Sequence, residues 1–101
     1  MSLEFGGDIL YWRGSAPFYF VAVPEEECEI LKNVSKMVTY GWGMIPVKAQ
    51  IGETAWKTSL FPKMGRYLVP VKDSVCKAET LAEGDEVTVK LEVGNFKRRK
   101  S

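Results

Sequence analysis

The chain has 101 residues, 14 Lys and Arg against 13 Asp and Glu, no histidine, and 46% hydrophobic residues. That is the length of one domain and a globular composition, which excludes a disordered or fibrous chain. No run approaches the roughly 18–20 apolar residues of a membrane helix, and no export signal precedes Phe5. The expectation is a cytoplasmic protein with Cys28 and Cys76 reduced, since neither belongs to a CxxC spacing. Lys97, Arg98, Arg99 and Lys100 carry four of the positive charges and leave the rest net negative by three. An acidic body is the wrong balance for gripping phosphates non-specifically, which argues against nucleic acid as partner.

Phe5 to Trp12 reads as a first strand, with Ile9 and Tyr11 on one side and Leu10 and Trp12 on the other. Arg13 to Pro17 is a turn cluster. Phe18 to Val23 is apolar on both faces, as in a buried central strand or one closing a barrel. At Pro24 the period changes. Glu25, Glu26 and Glu27 suit the first turn of a helix, where the dipole favours negative charge. Ile30, Leu31, Val34, Met37 and Val38 recur at helical spacing, which predicts a helix over about Glu25 to Met37.

Ile45, Val47, Ala49 and Ile51 then alternate with Met44, Pro46, Lys48 and Gln50. Gly52-Glu53 suits a two-residue type II′ turn, with glycine at the position that needs a positive φ. Thr54, Trp56, Thr58 and Leu60 form one face of the returning strand, and Ala55, Lys57, Ser59 and Phe61 the other. Phe61 to Gly65 reads as a second turn, and Tyr67, Val69 and Val71 begin a third strand. Asp73 is a good N-cap for a short helix through Val75, Cys76 and Ala78. Gly84-Asp85 is a turn, and Val87, Val89, Leu91 and Val93 form the dry face of a final strand. Residues 1–94 thus form one β domain, and residues 95–101 a basic tail expected to be disordered. Six strands with one helix and a short second one predict a mostly β fold, a small closed antiparallel barrel or sandwich.

The set Phe18-Tyr19-Phe20-Val21-Ala22-Val23-Pro24, Gly41-Trp42-Gly43, Trp56-Lys57-Thr58-Ser59-Leu60-Phe61-Pro62, Tyr67-Leu68-Val69-Pro70-Val71-Lys72 and Gly84-Asp85-Glu86-Val87 resembles one family. It is the small bacterial domain of unknown function found alone or ahead of a YdeI/OmpD-associated domain. The resemblance covers Phe5 to Val93. It implies a double-split β-barrel, the architecture of AbrB/MazE-type transcription factors. It carries no catalytic or binding residues with it, and it implies a basic residue where this chain has Cys76.

Without histidine, the chain cannot build Ser-His-Asp or Cys-His nucleophiles or a histidine zinc site. Cys76, beside Lys72 and Lys77 near a helix start, is the one thiol whose pKa could be lowered, but no base accompanies it. Glu25, Glu26, Glu27 and Glu29 fan around a helix rather than converge on a metal. No catalytic, metal or cofactor residues are therefore assigned. Gly41-Trp42-Gly43 precedes a strand rather than a helix, which fails as a dinucleotide loop. Trp42, Trp56, Lys57, Ser59, Arg66 and Lys72 form the one candidate ligand site, a polar rim beside two aromatic faces fit for a small anionic or carbohydrate-like ligand. The simpler reading puts the tryptophans in the core. The leading expectation is a non-enzymatic module that binds a ligand or a protein; the alternative is a nucleic-acid-binding protein.

Overall fold

The computed structural model describes the backbone of residues 2–38, 45–63 and 65–93, and the side chains of these except 34–38. The strands are β1 (Ser2–Asp8), β2 (Leu10–Trp12), β3 (Phe18–Ala22), β4 (Ile45–Ile51), β5 (Thr54–Lys63), β6 (Arg66–Val71) and β7 (Glu86–Val93). Helix α1 spans Glu25–Val38 and α2 spans Asp73–Ala78. All seven strands join one antiparallel sheet in the order β1-β7-β4-β5-β6-β3-β2. Neither helix is long and apolar enough to cross a membrane.

The expected closed barrel is not what forms. The sheet curls into a half-barrel whose two ends, β1 and β2, share no ladder. Those ends are consecutive in the chain, which makes seven strands of the expected six. The single strand expected over Phe5 to Trp12 divides at Ile9, because β1 pairs with β7 while β2 pairs with β3. Ile9 is fully buried, and its backbone exchanges hydrogen bonds with Gly84 and Asp85 at 2.7 and 2.8 Å. Nearby, Arg13 grips Glu83 through two bonds of 2.7 and 3.1 Å. That bidentate hydrogen bond lowers the Glu83 pKa, so the tie is present above the ordinary carboxylate pKa and is lost as pH falls through the folded value.

The inner face is the core. Val47, Ala49, Leu60, Val69 and Val89 are fully buried, each on the dry side of the alternation read from the sequence. β7 shows the pattern most plainly, with Val87, Val89, Leu91 and Val93 buried and every intervening residue exposed. The Gly52-Glu53 turn closes the β4–β5 hairpin from Ile51 to Thr54, with φ +58° at Gly52 alone of the two, as a type II′ turn requires.

Two boundaries differ from expectation. Phe61, Pro62 and Lys63 are not a turn; they extend β5, pairing with Leu68, Tyr67 and Arg66. Proline is tolerated there because the β4–β5 ladder has ended at Leu60, so the missing N–H faces no partner strand among the described residues. The same reason places Pro46 before the β4–β7 ladder begins at Val47, and Pro70 after the β5–β6 ladder ends at Leu68. The second correction concerns α2. Asp73 is its first residue rather than its cap, and Lys72 occupies the N-cap without a side-chain bond. The Asp73 carboxylate instead lies 3.4 Å from the Lys77 ammonium one turn on.

Helix α1 matches its expected span to within a residue. It buries Cys28 and Leu31 and packs on β4 and β6. Its first turn opens with the Cys28 N–H donating to the Pro24 carbonyl at 2.9 Å.

Candidate functional site

Strand alternation sorts the outer face of the sheet by charge. On β1 and β7 the outward residues include Glu4, Asp8, Glu86 and Glu92 against one cation, Lys90. On β4, β5 and β6 they include Lys48, Lys57, Lys63 and Arg66 and no carboxylate. Lys48 and Lys57 stand directly opposite one another in the β4–β5 ladder, an arrangement that costs stability. Among the described residues neither lies within ion-pair distance of a carboxylate. Glu92 faces Lys48 across the β4–β7 ladder, but its carboxylate accepts the Ser2 hydroxyl at 2.8 Å. A shallow basin of about 660 Å³ spans β1, β7, β4 and β5, and its lining mixes Lys48, Lys57 and Lys90 with Glu4 and Glu92.

Beyond the basin, the outer face turns aromatic. Trp12 pairs with Phe18 and Leu10 with Phe20 across β2 and β3. Phe18 in turn meets Phe20 and Phe61, with ring centroids 5.6 and 6.0 Å apart. Leu68 is buried although it sits in line with Phe61 and Ala22 on this outer side. Trp12 and Leu10 remain 42% and 39% exposed, and the Lys63 ammonium lies 4.3 Å from the centre of the Trp12 ring. The strand read as apolar on both faces is therefore not covered on both. Val21 faces the core, while Phe18 and Phe20 lie half-buried on the outer side.

Of the six residues of the expected ligand site, the five that are described do not gather on one face. Trp42 lies outside the described residues. Trp56 faces the core, 7% exposed, and its indole N–H donates to the Pro70 carbonyl at 3.1 Å. Lys57 and Ser59 sit on the opposite, outer face of the same strand, where the alternation of β5 must put them. Arg66 is half-buried, and its Nε donates to the Val23 carbonyl at 2.8 Å beside the start of α1. Lys72 is exposed at the far end of β6, and its carbonyl accepts the Val75 and Cys76 N–H groups of α2. Period-2 geometry keeps Trp56 and Lys57 on the opposite faces read from the sequence, so the indole and the polar residues of β5 do not line one side. Missed were Trp12, Phe18, Lys48 and Lys63. A strand carried through Pro62 would have aligned Lys57, Ser59, Phe61 and Lys63 on one side.

Neither cysteine supports nucleophilic chemistry. Both are free and buried. The Cys28 thiol donates to the Val23 carbonyl at 3.3 Å, and its sulfur accepts the Tyr67 N–H at 3.4 Å. Burial raises the Cys76 pKa, and the nearby Asp73 charge raises it further, the reverse of the lowering considered from Lys72 and Lys77. Iodoacetamide should label native Cys76 slowly at pH 7 and label it readily only once denaturant opens the fold. Rapid labelling of the native protein would overturn this assignment.

Among the described residues, no group of three or more acidic and cysteine side chains converges on a point that could hold a metal. Among curated proteins, none matches this chain. The model of the family described as Domain of unknown function (DUF1905) matches residues 5–91, and the chain belongs to that family.

Proposed function

We propose that this domain is a non-catalytic binding module that takes an anionic partner on the outer face of β4, β5 and β6. One observation carries the reading: the outward positions of these three strands hold four cations and no carboxylate, in a body that is otherwise acidic. A bound anion would relieve the opposition of Lys48 and Lys57, so the surface is better suited to a complex than to the free protein. The absence of histidine and the raised Cys76 pKa favour binding over catalysis. A reducing compartment such as the cytoplasm fits the two free cysteines.

The double-split reading of the fold belongs with this proposal. Its support is that β5 serves β4 before Leu60 and β6 after it, while β1 and β2 serve β7 and β3 on either side of Ile9. Two long strand segments are thus each shared between the halves of the sheet, and kinship with the AbrB-type architecture rests on that sharing.

Heparin and polyphosphate, added separately to the full chain, should raise its Tm. The increase should fall away in a Lys48→Gln/Lys57→Gln variant, which retains the basic tail and so separates the sheet from it. No Tm increase with either polyanion, or the same increase in the variant, would sink the reading.

A further inference from the structure

Resting on that reading, we infer that the anionic partner is a single-stranded nucleic acid laid along the outer face of β5. Alternate residues of a strand lie about 6.6–6.8 Å apart, so Lys57, Ser59, Phe61 and Lys63 form a line of about 20 Å. Cations stand at its two ends, with a hydroxyl and a ring between. Lys48 doubles the charge at one end. At the other end, Trp12 is exposed and lies under the Lys63 ammonium, and the half-buried Phe18 lies against the half-buried Phe61.

This combination separates the candidate occupants by their chemistry. A small anion would need only the lysines and would leave Trp12 exposed beside them. An acidic peptide would satisfy the cations and leave Trp12 exposed. A duplex offers phosphates but keeps its bases stacked inside, out of reach of a flat aromatic surface. Only an unpaired strand presents charge along its backbone and a π-face at every base, which a row of cations flanked by rings can engage together. The net negative charge of the whole body opposes this least along β5, because the outward acids on the sheet lie on β1 and β7, with Glu92 across from Lys48 the one that faces β4. Binding is then expected to be sequence-tolerant, since stacking reads no base edges.

The test is a fluorescence anisotropy titration of a labelled oligo-dT of about fifteen nucleotides, within the usual span of small β-sheet modules. With Lys48, Lys57 and Lys63 each neutralising a phosphate, log affinity should fall against log salt with a slope of about −2. Lys57→Gln should reduce that slope by about 0.7. Trp12→Ala should weaken oligo-dT by about tenfold while leaving heparin binding unchanged; Trp12 is exposed, so the variant should fold, and an unaltered Tm checks it. Duplex of equal length should bind more weakly than the single strand. If heparin binds and oligo-dT does not, or if Trp12→Ala leaves the oligo-dT Kd unchanged, the nucleic-acid inference is overturned while the anion-binding reading stands. Tighter binding to phosphatidylserine vesicles or to polyglutamate than to oligo-dT likewise overturns it. If no polyanion binds, both readings fail.

Discussion

Trp56→Ala should destabilise the domain by about 3–5 kcal/mol, which for a domain of this size lowers Tm by some 4–8 °C per kcal/mol. The side chain is 7% exposed and belongs to the core cluster of the half-barrel, so its removal leaves a void that the surrounding strands cannot fill. A second loss comes from the indole N–H. It donates to the Pro70 carbonyl at 3.1 Å, at a point where β6 has already left its ladder with β5. That carbonyl accepts from the indole what a neighbouring strand supplies elsewhere. Trp56→Phe separates the two contributions: it keeps most of the packing and deletes only the hydrogen bond, at about 1 kcal/mol. Urea unfolding of both variants measures the difference. An alanine variant as stable as the parent would show that Trp56 is a surface platform rather than part of the core. Because total stability is of order 5–15 kcal/mol, the alanine variant should lie close to its folding limit.

Gly7→Ala should destabilise by about 1–3 kcal/mol despite replacing a flexible residue in a strand with a better one. Gly7 follows Phe5 on the inner side of β1, and a Cβ placed there would lie 2.7 Å from Cγ1 of Val21. Val21 is fully buried in β3 and is β-branched, with little rotamer freedom to yield. β1 and β3 are not ladder neighbours; they are brought together because the sheet curls until its ends approach. The glycine therefore sets how closely those ends approach. Val21→Ala opens the space, so the double variant should be less destabilised than the sum of the single variants, by a coupling of about 0.5–3 kcal/mol. Strict additivity in chemical denaturation would mean that the two residues do not meet, and the account of the curl would go with it.

The strands β4, β5 and β7 were legible because their burial alternates residue by residue, and one buried face writes that period into the sequence directly. Helix α1 was legible for a similar reason, with acids in its first turn and apolar residues at its own period. Pro62 was misread as a turn because a proline's tolerance depends on whether a neighbouring strand needs its N–H, and no local pattern records where a ladder ends. Ile9 was misread as the middle of one strand because its neighbours on either side alternate normally, although their partners differ. The described residues of the expected ligand site are separated for a geometric reason. Trp56 and Lys57 are adjacent in the chain and therefore on opposite faces, whereas Trp12 and Lys63 meet although 51 positions separate them.

By itself, the sequence determined which residues of each strand face the core, where α1 begins and which turn joins β4 to β5. These depend on the side chains of one short segment and on the fixed periods of strand and helix. The tertiary structure alone decided that the first strand divides between two partners, that the sheet curls without closing, and that cations collect on one part of its outer face beside the exposed Trp12. Those features depend on which distant strands become neighbours, and backbone pairing is indifferent to the side chains it brings together.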